Sequence, residues 1–294
     1  MAYLAEGEIG RDRRGRSMTR AIIEPAARLD DVVMRYPGLD RPAIAIDRLT
    51  INKGERVAVI GPSGGGKTTL LRLLNGTLQP SGGSIEILGE HLENEGRQPR
   101  ELRRRTGMIF QDFALIERAT VMQNVLAGRL GFAHPWLSLF GKFGDEDRRI
   151  ALEAIAEVEL LDKAGQRVDG LSGGQRQRVA IARVLAQGPE MILADEPVSN
   201  LDPALTRTMI DLLTRACQRR GAALVMAIHQ PDIAKTSMDR VIAVNDGQIV
   251  FDVPSEALTE AALAQIYGRS DQGAPDPRMN AQDSERTADH RYPA

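Results

Sequence analysis

The hydrophobic positions of this chain change period several times, and each change predicts an element. Between Ala27 and Asp47 short strand-like segments flank the turn Tyr36-Pro37-Gly38. Gly54-Glu55 then turns into Arg56–Ile60, an unbroken β-branched run of the kind that forms a buried strand. Thr69–Asn75 has the leucine spacing of an amphipathic helix, 81–89 reads as a strand between glycine turns, and Gly107–Phe110 as a short strand that ends at Gln111. From about Val121 to Val168 apolar residues recur at three and four positions, most clearly in Ile150–Leu161, which predicts a helical insertion over about 115–185. Helix 173–187, strand Met191–Ala194, helix 203–220, strand Ala223–Ile228 and helix 232–236 follow, and then a hairpin, Val241–Asn245 with Gln248–Phe251, around Asp246-Gly247. Strands alternating with helices predict an α/β fold whose mostly parallel sheet is covered on both faces.

Composition narrows this picture without redirecting it. At 294 residues, 42% hydrophobic and 27% charged, the chain has the balance of a soluble globular protein of one or two domains. With 38 basic and 40 acidic residues the formal charge is −2, which gives no footprint for nucleic acid. The single Cys217 excludes an internal disulfide or a Cys-rich metal site. No apolar run reaches the roughly 18 residues that would cross a bilayer. The basic stretch Arg11–Arg16 precedes no apolar region, so it reads as solvated tail rather than export signal. Residues 1–27 and 269–294 are expected to be disordered tails, and Met18 is a second candidate start.

The chemistry begins after the strand Arg56–Ile60. Gly61-Pro62-Ser63-Gly64-Gly65-Gly66-Lys67-Thr68-Thr69 is a complete phosphate-binding loop between a strand and a helix. Its glycines let backbone N–H groups converge on phosphate oxygens, and the following helix adds its positive end. Lys67 would bridge the β- and γ-phosphates of ATP, and Thr68 would offer Mg²⁺ a hydroxyl. The strand Met191–Ala194 ends in Asp195-Glu196, two carboxylates at the edge of the sheet that the loop occupies. Asp195 suits Mg²⁺ through a water, and Glu196 suits the general base for the attacking water. Although adjacent strand residues face opposite ways, the chain leaves the strand here, so both can reach the site.

Three further positions fit the same site. Gln111 could coordinate Mg²⁺ through its amide oxygen, His229 could hydrogen-bond a γ-phosphate, and Tyr36 could stack on adenine; each alone also suits a structural role. Leu171-Ser172-Gly173-Gly174-Gln175 opens a helix with an N-cap residue and bare backbone N–H groups, a second anion-binding terminus. One loop already cradles the phosphates of this chain, so a second cradle implies the nucleotide of a second subunit.

With these residues in view, the chain resembles the ATPase subunit of an ABC transporter. Gly61–Thr69, Gln111, Leu171–Gln175, Ile192–Pro197, Ser199-Asn-Leu-Asp202 and His229 stand in that family's order and spacing, and the likeness covers about residues 28–268. It implies a P-loop NTPase core with an inserted helical signature subdomain, and a head-to-tail dimer enclosing two ATPs. It also implies that Ser172 and Gly174 contact the partner's γ-phosphate, that Asp202 lies at the dimer interface, and that His229 senses phosphate. A narrower likeness, to phosphonate importer ATPases, rests on Asn124–Gly131, Pro135-Trp136, Ser138-Leu139, Ile228–Ala234, Phe251-Asp252 and Ile266-Tyr-Gly268. Arg176, Gly65 and Pro231 depart from the usual residues, and none of these changes removes a catalytic group.

The resemblance implies an energy-coupling ATPase at the cytoplasmic face of the inner membrane. Its partners would be a membrane permease and, indirectly, a periplasmic substrate-binding protein; no nucleic acid is expected. Phosphonates are the expected cargo, with phosphate, phosphite or another small solute as alternatives. A soluble ABC ATPase acting on DNA or the ribosome is the alternative of a different class, which the short spacing and single ATPase half disfavour.

Overall fold

The computed structural model describes residues 24–92, 99–132, 143–198 and 202–267. Pro135-Trp136, Ser138-Leu139, Ser199–Leu201, Gly268 and most of both expected tails lie outside these. Strand β1 (Pro25–Met34) already includes Pro25–Ala27, which the sequence assigns to the N-terminal tail. It pairs antiparallel with β2 (Ile44–Asn52) and with β4 (Gly82–Ile87), and β4 with the short β5 (Glu90–Leu92), giving a four-stranded sheet in the order β2-β1-β4-β5.

The second sheet has six strands in the order β10-β9-β3-β8-β7-β6. These are β3 (Arg56–Ile60), β6 (Thr106–Ile109), β7 (Met191–Asp195), β8 (Ala223–Ala227), β9 (Arg240–Asn245) and β10 (Gln248–Pro254). All neighbours run parallel except β10, the antiparallel edge of the hairpin. Strands β3, β7, β8 and β9 are buried on both faces, which explains their continuous apolar runs, whereas edge strand β10 has no buried residue. Along β3, Val57 and Val59 join one core cluster with β1, β2, β4 and helix α1 (Lys67–Leu74), while Ala58 and Ile60 point into another with the remaining helices. The strand period of two thus sorts its residues between two cores.

The chain between β6 and its neighbour β7 contains α3 (Val121–Leu126), α4 (Asp145–Glu157) and α5 (Gly173–Gln187), with α2 (Arg100–Arg105) just before β6. Short 3₁₀ turns at Leu161–Lys163 and Val168–Gly170 stand where the sequence suggests more continuous helix. Val121, Val125, Ala151, Ile155, Val179 and Ile181 pack into the same cluster as the helix-covered face of the sheet, so α5 joins insertion and sheet. α5 is bounded by chemistry readable in sequence: a Ser172/Gln175 capping box at one end and left-handed Gly188 (φ 67°) at the other. α6 (Pro203–Arg220), α7 (Pro231–Ser237) and α8 (Glu260–Tyr267) complete the fold. No helix among the described residues is long and apolar enough to cross a membrane.

The strand order also sets the position of the candidate site. β6, β7, β8 and β3 run parallel side by side. Their C-terminal ends therefore open on one edge, where the chain continues respectively into Gln111, Asp195-Glu196, His229 and the Gly61–Thr69 loop.

Candidate nucleotide site

The loop after β3 has a backbone that only glycine supplies at two points. Gly61 has φ 148°, and a Cβ there would lie 2.0 Å from the Val244 carbonyl oxygen of β9. Gly66, with φ 114°, is the N-cap of α1. From this turn Lys67 folds back, 4% exposed, and its Nζ donates to the carbonyls of Gly61 and Pro62, both at 3.0 Å. Burial holds its pKa below the usual lysine value, against the opposing pull of Glu196 and Asp195. An ammonium desolvated and held under a phosphate loop is poised to exchange carbonyl partners for phosphate oxygens.

Beside it the Thr68 hydroxyl donates to Asp195 Oδ1 at 3.2 Å. Burial raises the Asp195 pKa, the bond from Thr68 opposes this, and the Glu196 charge adds to the rise. Glu196 itself has φ 48°, a left-handed turn rare for a residue with a side chain. Glu196 and Asp195 both act electrostatically on Lys67, so the two carboxylates lie near it at this strand end. Glu196 Oε1 then lies 2.5 Å from His229 Nε2 at the end of β8.

A cleft of about 1110 Å³ opens over these groups and is lined by Tyr36, Ser63, Gly64, Gly66, Lys67, Thr68, Thr69, Gln111 and Glu196. Tyr36 is anchored there by a 3.4 Å hydrogen bond between its hydroxyl and Thr69 Oγ1, which leaves the ring as one wall. The oxygen donors Thr68, Asp195 and Gln111 suit a hard cation that keeps several waters. Among the described residues there is no cluster of three or more His, Cys, Asp or Glu, so a softer transition-metal site has no counterpart.

The signature residues are elsewhere. Ser172, Gly174 and Gln175 line a separate hollow with Lys163, Arg178 and Leu205, and none of them borders the Lys67 cleft. Ser172 Oγ accepts from the Gln175 N–H at 3.4 Å while Gln175 Oε1 accepts from the Ser172 N–H at 3.1 Å. A Cβ on Gly173 would meet nothing within 4 Å, whereas one on Gly174 would lie 2.5 Å from Leu205 Cδ2. Asp202 is outside the cleft too and caps α6, its Oδ1 accepting from the N–H groups of Ala204 (3.1 Å) and Leu205 (2.9 Å).

Sequence reasoning found the hairpin turn at Asp246-Gly247 but did not place it at the cleft. Asp246, Gly247 and Gln248 line the cleft with Leu39 and Arg41. The Gly247 N–H donates to the Gly65 carbonyl at 3.0 Å, and its own carbonyl accepts from the Ala45 N–H at 2.7 Å. Asp246-Gly247 signals a tight turn in sequence, but nothing local says that β9 would lie beside β3 and set that turn against the phosphate loop.

Known proteins match this arrangement. The profile of the ABC transporter family fits residues 46–199. A phosphonates import ATP-binding protein of Rhodopseudomonas palustris (strain HaA2) is 45% identical over 245 residues, 83% of this chain and 87% of that relative. One from Nostoc sp. (strain PCC 7120) is 46% identical over 243 residues, covering 83% of this chain and 92% of that protein. Among solved structures, a dimeric ATP-binding cassette in a post-hydrolysis state with ADP and Pi has 31% identity and a TM-score of 0.68, over 79% of this chain and 100% of that one. A component of a Clostridium perfringens ABC transporter complex has 26% identity and a TM-score of 0.71, over 82% of this chain and 93% of that one.

Proposed function

Since this chain belongs to the ABC transporter family, we propose that it is the ATP-hydrolysing, energy-coupling subunit of a phosphonate importer. The observation that carries this reading is the separation of two anion cradles in one chain, the Lys67 cleft and the Ser172 helix terminus. A single copy supplies half of each site, and a head-to-tail pair supplies two whole ones. The solved dimeric cassette and the names of the phosphonate relatives support the pairing and the cargo.

In this reading ATP lies with its triphosphate along Gly61–Thr69 and its adenine against Tyr36. Lys67 exchanges the Gly61 and Pro62 carbonyls for β- and γ-phosphate oxygens. Thr68, Asp195 and Gln111 hold Mg²⁺, which when bound offsets the charge of the phosphates. Without a cation, two carboxylates beside a triphosphate would repel it. Glu196 accepts a proton from the attacking water, and His229, already against Glu196, reaches the γ-phosphate. Ser172, Gly173, Gly174 and Gln175 contact the partner's ATP, and Asp202 lies at the interface between the two copies.

A membrane permease completes the machine at the cytoplasmic face of the inner membrane, fed by a periplasmic phosphonate-binding protein. A groove of about 560 Å³ between α2, Phe110 and the segment after α3 supports such docking: Phe110, Leu130 and Phe132 are exposed there, rimmed by Arg100, Arg103 and Arg104.

Two measurements test the reading. Glu196→Gln should bind ATP and accumulate as a dimer while kcat drops by about two orders of magnitude or more, the scale of a lost general base; turnover at the wild-type rate would refute the assignment. In vesicles carrying the permease and the binding protein, ATP should drive uptake of an alkylphosphonate. ATP-driven uptake of a different solute with none of the phosphonate would overturn the cargo.

A further inference from the structure

Helix α5 does more than present Ser172. Two of its side chains, one turn apart, grip the two ends of the segment that carries Gln111. Gln187 Nε2 donates to the carbonyls of Arg103 (2.9 Å), Arg104 (3.1 Å) and Thr106 (2.9 Å), where α2 passes into β6. Arg183 donates from Nη1 to the Ala114 carbonyl at 2.5 Å and from Nη2 to the Phe113 carbonyl at 2.8 Å. Gln111 lies between these two grips.

The second grip holds an unusual backbone. Phe113 (φ 63°) and Ala114 (φ 45°) are consecutive non-glycine residues in the left-handed region. That region is disfavoured for any residue with a side chain, and such conformations persist only where the surroundings over-determine them. The planar guanidinium meets two successive carbonyls with two fixed donors, a match that a lysine ammonium does not reproduce. Arg183 is half-buried; burial draws its pKa below the usual arginine value, with Asp112 acting against this. The helix also has little freedom to slide past the insertion, because Gly128 packs so closely that a Cβ there would lie 2.2 Å from the Arg183 carbonyl oxygen.

We propose that Arg183 is a positioning residue that makes Gln111 follow α5, so that engagement of Ser172 by the partner's nucleotide sets the geometry of Gln111 at the chain's own nucleotide. This rests on the roles given above to the α5 terminus and to Gln111. The rod is stiff, its N-terminus faces one ATP of the dimer, and its middle holds the loop that serves the other. Coupling between the two sites then passes through a single continuous helix within each copy.

The test compares wild-type full-length protein with Arg183→Lys and Arg183→Met. Thermal melting, ATP titration, kcat, the Mg²⁺ concentration for half-maximal turnover and the Hill coefficient in ATP are read for each. Both variants should bind ATP within about twofold of wild type, since Arg183 does not line the Lys67 cleft. Their kcat should fall roughly tenfold or more, as a displaced positioning loop implies. Their Mg²⁺ requirement should rise, and their Hill coefficient should drop toward one.

A merely structural role predicts lower melting temperature with unchanged Mg²⁺ dependence and cooperativity in the protein that remains folded; that result overturns the proposal. Unchanged kcat and cooperativity in both variants overturn it as well. Should Arg183→Met unfold, Arg183→Lys, which keeps stem and charge, decides by the same readings. Wild-type protein without ATP hydrolysis would instead overturn the proposed function.

Discussion

Asp195 shows at the scale of one residue how a site can work against the fold that carries it. Burial raises its pKa, so its ionised form is disfavoured in the folded chain relative to the unfolded one. Above that raised pKa the carboxylate subtracts from stability, and the loss fades as pH falls through it. Lys67 is the mirror case: burial lowers its pKa, so its ammonium subtracts from stability below that value and the loss fades as pH rises. Asp195→Asn keeps an oxygen for the Thr68 hydroxyl and removes the charge. We expect it to melt about 2 °C higher than wild type at pH 8, a gain of about 1 kcal/mol or less, with the difference shrinking as pH falls through the raised Asp195 pKa and turnover lost. Lower melting at pH 8 would show that the charge stabilises the ligand-free fold. The identities of Lys67, Thr68, Asp195 and Glu196 were legible because phosphate chemistry needs those groups. The left-handed turn at Glu196 was not, since nothing in Asp-Glu-Pro announces a positive φ.

At the scale of elements, legibility follows the local signals. Helices 173–187 and 203–220 match their expected ends because each carries its own stops: Ser172 with Gln175 and Gly188, and Asp202 with Pro203 and Gly221. Helix α2 has one buried apolar residue, Leu102, so no periodicity betrays it; Gln187 holds its C-terminal end from outside. Its existence is tertiary, and so is the use made of the β9–β10 turn. Gly247 has φ 74°, and a Cβ there would lie 2.7 Å from the Ala43 carbonyl oxygen. Gly247→Ala therefore adds a left-handed penalty of about 1–2 kcal/mol and a backbone clash. Because the turn braces Gly65 and Ala45 together, we expect weaker ATP binding, by about tenfold, beside the lower melting temperature, with kcat at saturating ATP nearly unchanged. Calorimetric titration checks this, and wild-type affinity in a destabilised variant would show that the brace is independent of the loop's binding geometry.

The whole molecule adds a relation that no single motif contains. Strand order gathers Gln111, Glu196, His229 and the phosphate loop at one sheet edge and leaves Ser172–Gln175 on another surface. The segment that suggests the cargo is largely spent on packing. Asn124 is buried and bonds the Ile116 N–H and the carbonyls of Ile116 and Thr120, and Gly128 makes room for the Arg183 carbonyl. Specificity for a transported solute is thus not written in side chains that touch it, whereas the proposed need for a second copy is supported by the two separate hollows. That need has a decisive test in mixed dimers. Lys67→Ala removes the phosphate ligand and leaves the signature whole. Gly173→Arg keeps Lys67 and adds a side chain where the chain's own fold has open space, so it should obstruct the partner alone. Each variant by itself has two defective sites per dimer. Random mixing at equal amounts makes about half the dimers mixed, each with one intact site formed by Lys67 of one copy and Gly173 of the other. Turnover near zero in each variant should therefore recover to about a quarter of the wild-type site density in the mixture, if the sites act independently. Cooperativity would lower that fraction, and by an amount that Arg183→Lys in the same background should change. A mixture that neither turns over nor forms ATP-dependent mixed dimers would mean that the two cradles do not meet across a shared nucleotide.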